Sequence, residues 1–349
     1  MIFSKNTAKI LLYLSTAICL LCIVLFRQHK QQEVPVGTTF QRIEGSVFHT
    51  FYHIQYADSI DYHDEIRQLF AEFDGSLSMF NDTSILSRMN QNDPDVIAND
   101  YVRTVFEKAL EVSNRTNGAF DITVAPLVNL WGFGFKNSEN VNQQMVDSIL
   151  TFVGYQSVCL DVEGHLHKND PRTILDASSI AKGYMCDIVA SFLQKKGVKD
   201  YMVEIGGELA IGGHNAQDKI WSVGINEPVS DSLQMGNPEL RDIMLITDCG
   251  VATSGNYRNF YYKDGQRYAH TIDPKTGYPV QQDILSSTVI APDCMTADAY
   301  ATAFMVMGSE RALRVLEADT TLMAYFIVSL PDSDETDVIY SPGLKKVLK

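Results

Sequence analysis

The chain has 349 residues, a net charge of −15 and a hydrophobic fraction of 45%. That length suits one large domain or two closely packed lobes around a sizeable core. No fixed-period repeat and no long low-complexity run appears, which excludes solenoids and propellers. The acidic balance argues against nucleic-acid binding, which calls for a basic face. A phosphate ester bound to such a body needs a metal ion or local dipoles to hold it.

In chain order, the first feature is an apolar run, Ile10 to Phe26, with Lys5 and Lys9 before it and Arg27 and Lys30 after it. At 17 residues it is at the short end for spanning a bilayer. No A-x-A-like cleavage site follows closely. Residues 1–30 therefore read as an uncleaved signal anchor with the bulk of the chain exported, a cleaved signal being the alternative. The basic residues on both flanks leave its orientation open. Residues 31–42 are polar, contain Pro35 and Gly37, and read as a linker or first edge, leaving 43–349 as the main domain.

Val47 to Tyr56 alternates and is rich in aromatics, which predicts a strand. Ile66, Leu69, Phe70, Phe73 and Leu77 recur at helical spacing, and Asn81 to Ser84 forms a turn and a new cap. Val102, Val105, Phe106, Ala109 and Leu110 predict a second helix that stops at Asn117-Gly118. Val158 to Leu175 reads as short strands with a turn at Asn169-Asp170-Pro171. Ser178 or Ser179 caps a helix from about Ile180 that places Ile180, Tyr184, Ile188 and Phe192 on one face and ends at Gly197. Strands follow at Tyr201–Ile205, Ile220–Ile225 and Met244–Thr247. A hairpin joins Phe260–Tyr262 to Gln266–Ile272 through Asp264-Gly265. Leu285–Ala291 is a further strand, Ala297–Met307 a helix ending at Gly308, and Leu322–Leu330 with Asp337–Tyr340 a final strand pair. Helices and strands mix without strict alternation, so the fold class is α+β: mixed sheets with packed helices in a two-lobed single domain. Cys159, Cys186, Cys249 and Cys294 lie far apart without metal-type spacing and read as free, buried thiols; Cys19 and Cys22 sit in the apolar run.

Five segments carry unusual local chemistry. Asp176-Ala177-Ser178-Ser179-Ile180-Ala181-Lys182-Gly183 ends a strand and opens a helix, whose free N–H groups and Lys182 suit a phosphate, although a plain helix cap explains it as well. Asn117-Gly118-Ala119-Phe120-Asp121 is dense in turn formers, and Leu130-Trp131-Gly132-Phe133-Gly134-Phe135 alternates aromatics with glycine, as for a flat ring ligand or a tight loop. Glu204-Ile205-Gly206-Gly207-Glu208 implies close backbone approach. His270 precedes the rigid turn Asp273-Pro274-Lys275-Thr276-Gly277 and is a candidate base or phosphate contact. Asp298 and Thr302 share a helix face and, with a nearby carbonyl, make a hard-oxygen set suited to Mg²⁺.

Taken together in this order, these segments resemble the ApbE family of FAD:protein FMN transferases from about Gly45 to the C-terminus. Ser78-Met79-Phe80, Thr116 to Asp121, Pro126-Leu127-Val128, Leu175 to Gly183, Val203 to Glu208, Val251 to Tyr257, His270 to Pro279 and Thr288 to Thr302 carry the resemblance. It implies Mg²⁺-dependent transfer of FMN from FAD, the substrate, to a threonine or serine of an acceptor protein, with release of AMP. FAD hydrolysis and FAD carriage are the alternatives. Carried over by position, Phe48, Phe80, Ala119, Phe120, Asp121, Asp176, Lys182 and Ile272 contact FAD. Ser179, Asp298, Ala301 and Thr302 form the metal site. His270 takes part in the transfer, with Asp273 orienting it or reaching the metal indirectly, and Lys182 stabilises developing charge. The chain departs from relatives in having Phe48 for methionine, Phe80 for tyrosine, Ala301 for aspartate in some, and Ala177-Ser178 or Ser178-Ser179 in place of two glycines. The resemblance also implies acceptors such as subunits of respiratory redox pumps. With the anchor it implies a single-pass protein of the inner membrane, with its catalytic domain on the periplasmic side.

Overall fold

A computed structural model describes residues 39–133, 141–228, 240–256, 260–263, 266–330, 333 and 335–349. The apolar run Ile10–Phe26, the anchor and most of the linker, Cys19 and Cys22, Gly134-Phe135, Tyr257 and the Asp264-Gly265 turn lie outside the described residues. No helix among the described residues is long and apolar enough to cross a membrane.

Residues Phe40–Lys349 form one unit. The chain opens with β1 (Phe40–Val47) and β2 (Thr50–Ala57), followed by α1 (His63–Leu77), α2 (Ile85–Asn90), α3 (Asp100–Arg115), α4 (Ala125–Leu130) and α5 (Gln143–Leu150). A small ladder of β3 (Val158–Leu160) and β4 (Leu166–Lys168) leads to α6 (Ala181–Lys195), β5 (Tyr201–Ile205) and β6 (Glu208–Gly212). Then come β7 (Trp221–Asn226), β8 (Leu240–Ile246), β9 (Cys249–Gly255), β10 (Phe260–Lys263), β11 (Gln266–Ala269) and β12 (Ile284–Ala291). The chain closes with α7 (Cys294–Met307), α8 (Ser309–Ala318), β13 (Met323–Ser329) and β14 (Thr336–Tyr340).

The principal sheet has eight strands in the order β1-β2-β5-β6-β9-β12-β13-β14. Every neighbouring pair in it is antiparallel. The α+β class follows from this sheet with helices packed on it. Its central strands are covered on both faces. Helices α6 and α7 lie against β5, β6, β9 and β12, while Leu209, Ile211, Val251, Ile290 and Ile327 join a second core with Trp221, Ile225, Met244 and Ile246 of the β7–β8 hairpin. That double cover explains why β12 is buried along nearly its whole length, where a one-sided strand would alternate.

Helix α7 is apolar on every side, and Thr302 is the one residue in it that is not buried. A helix of that composition belongs inside. It starts at Cys294, three residues before the expected Ala297, because the Asp293 side chain accepts the Thr296 N–H at 2.7 Å and caps it. Glycines clamp its first residue. A Cβ on Gly183 of α6 would overlap the Cys294 carbonyl, and one on Gly250 of β9 would overlap the Cys294 backbone.

Other expectations need correction. Val47 to Tyr56 holds most of β2, but its first three residues are the end of β1 and the turn of the β1–β2 hairpin, and β1 begins at Phe40, inside the stretch expected to be linker or first edge. Phe48 and His49 form its two-residue turn with φ of 50° and 59°, a conformation usually given to Asn-Gly, so the turn carried no familiar signal. Neither Ser178 nor Ser179 caps α6; its N-cap is Ile180, without a side-chain bond. The buried arc of α6 is Met185, Cys186, Val189 and Leu193, one residue round from the expected Tyr184, Ile188 and Phe192, because α6 packs against both the sheet and α7. Strands β6 and β9 and helices α4, α5 and α8 were not anticipated. Glycine-rich and small-residue composition hides the two strands, and the helices are short. The four described cysteines are free, with Cys186 and Cys294 buried, Cys249 half-buried and Cys159 exposed.

Candidate active site

The N-terminus of α6, the Ala119–Asp121 loop, the Gly206-Gly207 turn, β7, β9 and the non-buried side of α7 surround a cavity of about 780 Å³. It lies in the upper part of the range for small-molecule sites. Ala119, Phe120, Asp121, Asp176, Ser179, Lys182, His270, Ile272, Asp298 and Thr302, all expected from the sequence, line it. A second, largely apolar cavity of about 450 Å³ shares Ser178 and Lys182 with the first and holds Phe48 and Phe80. Phe80 is 68% exposed, with the His49 ring 5.0 Å away. Phe48 packs at 5.5 Å on Phe73.

Lys182 is the charged centre of the larger cavity. Its Nζ donates to Glu208 Oε1 at 2.9 Å and stands 4.0 Å from Asp298 Oδ2. Burial works against the ammonium, but the Asp298 and Glu208 carboxylates outweigh it and hold its pKa above that of ordinary lysine. Burial in turn pushes Glu208 up to about 7, with Lys182 pulling the other way.

Asp298 sits one helical turn from Thr302. Its Oδ2 accepts the Gly183 N–H at 3.0 Å, and Thr302 Oγ1 lies 3.1 Å from Ser254 Oγ. The Gly183 N–H is therefore turned toward Asp298, and Ser179 precedes the N-cap of α6, so the Ser179 carbonyl stands outside the helical ladder. These oxygens fit a Mg²⁺ ion, which takes one or two carboxylates and completes its shell with water and ligand phosphates. No cluster of three or more His, Cys, Asp or Glu side chains suited to a metal occurs among the described residues, so such a site depends on the ligand's own oxygens. Ala301 does not fit this set. It has no side-chain donor, and its carbonyl belongs to the interior of α7, where the helical ladder uses it.

Local hydrogen bonds hold three further residues of the expected segments. Asp121 Oδ1 accepts from the Thr123 N–H and hydroxyl at 2.8 and 2.6 Å, and its Oδ2 accepts from the Tyr155 N–H at 2.8 Å. Its carboxylate thus ties two loops together, leaving the backbone to meet a ligand. Asp273 lies outside the larger cavity; its Oδ1 accepts the Lys275 N–H at 2.9 Å within the Pro-Gly turn. It holds that turn. Trp131, in the run read as a surface for a flat ring ligand or as a tight loop, donates its indole N–H to the Gly277 carbonyl at 2.7 Å and packs on Tyr278, as a tight loop does. Glu208 and Ser254 are site residues the sequence reading did not single out; Glu208 follows two glycines that had been read as a turn.

Behind the site, Asp187 Oδ1 and Oδ2 accept the Cys294 and Met295 N–H groups at 2.9 and 2.8 Å. Burial pushes its carboxyl up to about 7, against the pull of those two donors. A carboxyl whose folded pKa exceeds its unfolded value stabilises fully below the unfolded value and loses that contribution as pH rises through the folded one. The melting temperature of the metal-free protein is therefore expected to fall between about pH 4 and about pH 7, and Asp187→Asn, which cannot ionise, to flatten that fall. Thermal melts of both proteins across this range check it; equal slopes would contradict the assignment.

An ammonium beside hard oxygen donors at a helix start suits a polyphosphate ligand, and the class so defined is an α+β enzyme fold built around one. The profile of the ApbE family matches residues 48–326. The FAD:protein FMN transferase of Vibrio cholerae serotype O1 is 38% identical over 289 residues, 79% of this chain and 84% of that protein. That of Haemophilus influenzae is 36% identical over 302 residues, 82% and 86% of the two chains. The solved flavin transferase ApbE from Vibrio cholerae superposes with a TM-score of 0.78 at 35% identity, covering 88% of this chain and 99% of that one. The chain belongs to the ApbE family.

Proposed function

We propose that the protein moves the FMN half of FAD onto a threonine or serine hydroxyl of an acceptor protein. The observation that carries this is the convergence of Lys182, Asp298, Thr302 and His270 on one cavity large enough for a dinucleotide, in a chain whose relatives bear that activity in their names. The acceptor oxygen forms a bond to the FMN-side phosphorus, the bridging P–O bond breaks, and AMP leaves with that electron pair. The hydroxyl proton passes to His270. Lys182 faces the charge that develops on the phosphate oxygens. Asp298, Thr302 and the Ser179 carbonyl would hold Mg²⁺, which supplies Lewis-acid charge withdrawal from the pyrophosphate. The apolar cavity beside Phe48 and Phe80 suits a ring of the ligand, stacking without the hydrogen bond a tyrosine would give.

In this proposal the run Ile10–Phe26 anchors the enzyme in the inner membrane, with the catalytic body and its acceptors, such as redox-pump subunits, on the outer side. The test is to mix enzyme, FAD, magnesium chloride and an acceptor encoded in the same genome, then to separate under denaturing conditions. Fluorescent flavin on the acceptor with stoichiometric AMP, both lost on chelation, is expected. AMP with free FMN and an unlabelled acceptor would replace transfer by hydrolysis.

A further inference from the structure

Ser254 is half-buried and lines the larger cavity, yet the chemistry set out above does not use it. Strand alternation puts Gly250, Ala252 and Ser254 on one face of β9. That face meets α7. Gly250 leaves room for the Cys294 backbone, Ala252 is fully buried, and Ser254 Oγ lies 3.1 Å from Thr302 Oγ1. The spacings match. A helix rises about 12 Å from Cys294 to Thr302, and a strand advances about 13 Å from Gly250 to Ser254. The last of these three small residues is thus the one that reaches the site, and it carries a hydroxyl. Thr302 also departs from the usual habit of hydroxyls in helices. Ser76, Ser113 and Thr116 donate back to the carbonyl four residues earlier, at 2.8, 2.7 and 2.8 Å. Thr302 makes no such bond to the Asp298 carbonyl; among the described residues its partner is Ser254, across the gap between α7 and β9.

A threonine hydroxyl that gives a lone pair to a cation has to aim its proton elsewhere. Ser254 Oγ stands within hydrogen-bond distance to accept that proton. We propose that Ser254 is a positioning residue of the magnesium site, whose Oγ accepts the Thr302 hydroxyl proton and so holds Thr302 Oγ1 ready for the ion. This rests on the metal site of the transferase reading above. Without the Ser254 hydroxyl, Thr302 is free to turn back to the Asp298 carbonyl, the bond that Ser76, Ser113 and Thr116 make to theirs. A ligand turned away in this manner weakens metal binding, as loss of an outer partner commonly does.

Ser254→Ala removes the hydroxyl and keeps the packing, since that face of β9 already carries Ala252. Thr302→Val removes the ligand oxygen with little change of shape. The wild-type enzyme, the two variants and the double variant are titrated with manganese(II) chloride, the free ion being counted by electron paramagnetic resonance. FAD is kept at saturation, the acceptor is withheld, and melting temperature is the folding control. Ser254→Ala is expected to raise the manganese dissociation constant roughly tenfold. In the Thr302→Val background it is expected to add less than about twofold, because nothing is left for Ser254 to orient. A constant within about twofold of wild type in folded Ser254→Ala overturns the proposal. So does an effect of equal size in both backgrounds, which would mark a packing contribution independent of Thr302. A wild-type enzyme that binds FAD but takes up no manganese removes the metal reading and the proposal with it. A wild-type enzyme that binds manganese but labels no acceptor sinks transfer alone, and the manganese constants of the variants then decide on Ser254.

Discussion

Asp298→Asn is expected to cut flavin transfer by roughly a thousandfold while leaving the protein folded. The Asp298 side chain is 5% exposed and joins α7 to the start of α6. It accepts the Gly183 N–H at 3.0 Å, stands 4.0 Å from Lys182 Nζ, and lies one turn from Thr302 on the side of α7 that faces the cavity. The amide keeps a carbonyl for Gly183 but loses the charge that metal binding needs and that helps hold Lys182 protonated. Asp298→Ala goes further. It strands the Gly183 N–H in a buried position, which costs about 1–3 kcal/mol of stability on top of the lost activity. The two variants thus separate chemistry from folding. Initial rates of AMP release across a magnesium titration, together with thermal melts, check both. An asparagine variant at wild-type rate would remove Asp298 from the metal site.

The second large effect lies at a residue that carries no chemistry. Gly183→Ala is expected to lower stability by about 3 kcal/mol and the melting temperature by roughly 6 °C or more. Helices α6 and α7 touch at this point. The added methyl would overlap the Cys294 carbonyl and approach Asp298 Cβ to 2.8 Å. Both neighbours are held in place: Cys294 is backed by Gly250 of β9, and its N–H is bound by Asp187. Relief has to come from a shift of α7, which carries Asp298 and Thr302 with it, so activity falls beyond the loss in stability. Differential scanning calorimetry with the AMP-release assay reads both. A variant that melts with the wild type would mean that the helices are not packed this closely.

Much of this architecture was legible in the residues. The spacing of Ile66, Phe70 and Phe73, the stop at Asn117-Gly118 and the alternation before Gly206 act locally, and local rules placed α1, α3 and β5 within a few residues. The losses came where tertiary contacts override local signal. Phe48 and His49 turn a hairpin without glycine, and the covering hairpin and helices bury both faces of β9, which was not anticipated. The unusual composition of α7 showed that it was buried but not where it began.

The site was legible as a set of segments more than as contacts. Lys182, Asp298, Thr302 and His270 do converge. Glu208 was noted only for the close approach at its two glycines, because its partner is Lys182, 26 positions earlier in the chain. Ala301 and Asp273 show the opposite failure. Each stands in a segment matched to the family, yet the helical ladder claims the first and a local hydrogen bond claims the carboxylate of the second.

The account is tested most directly by intact-mass and fragmentation analysis of an acceptor protein after incubation with the enzyme, FAD and magnesium chloride. It predicts an acceptor heavier by one FMN less one water, with the addition on a single threonine or serine as a phosphoester and no addition when magnesium is chelated. An acceptor of unchanged mass, recovered beside an enzyme that has converted FAD to FMN and AMP, would contradict it.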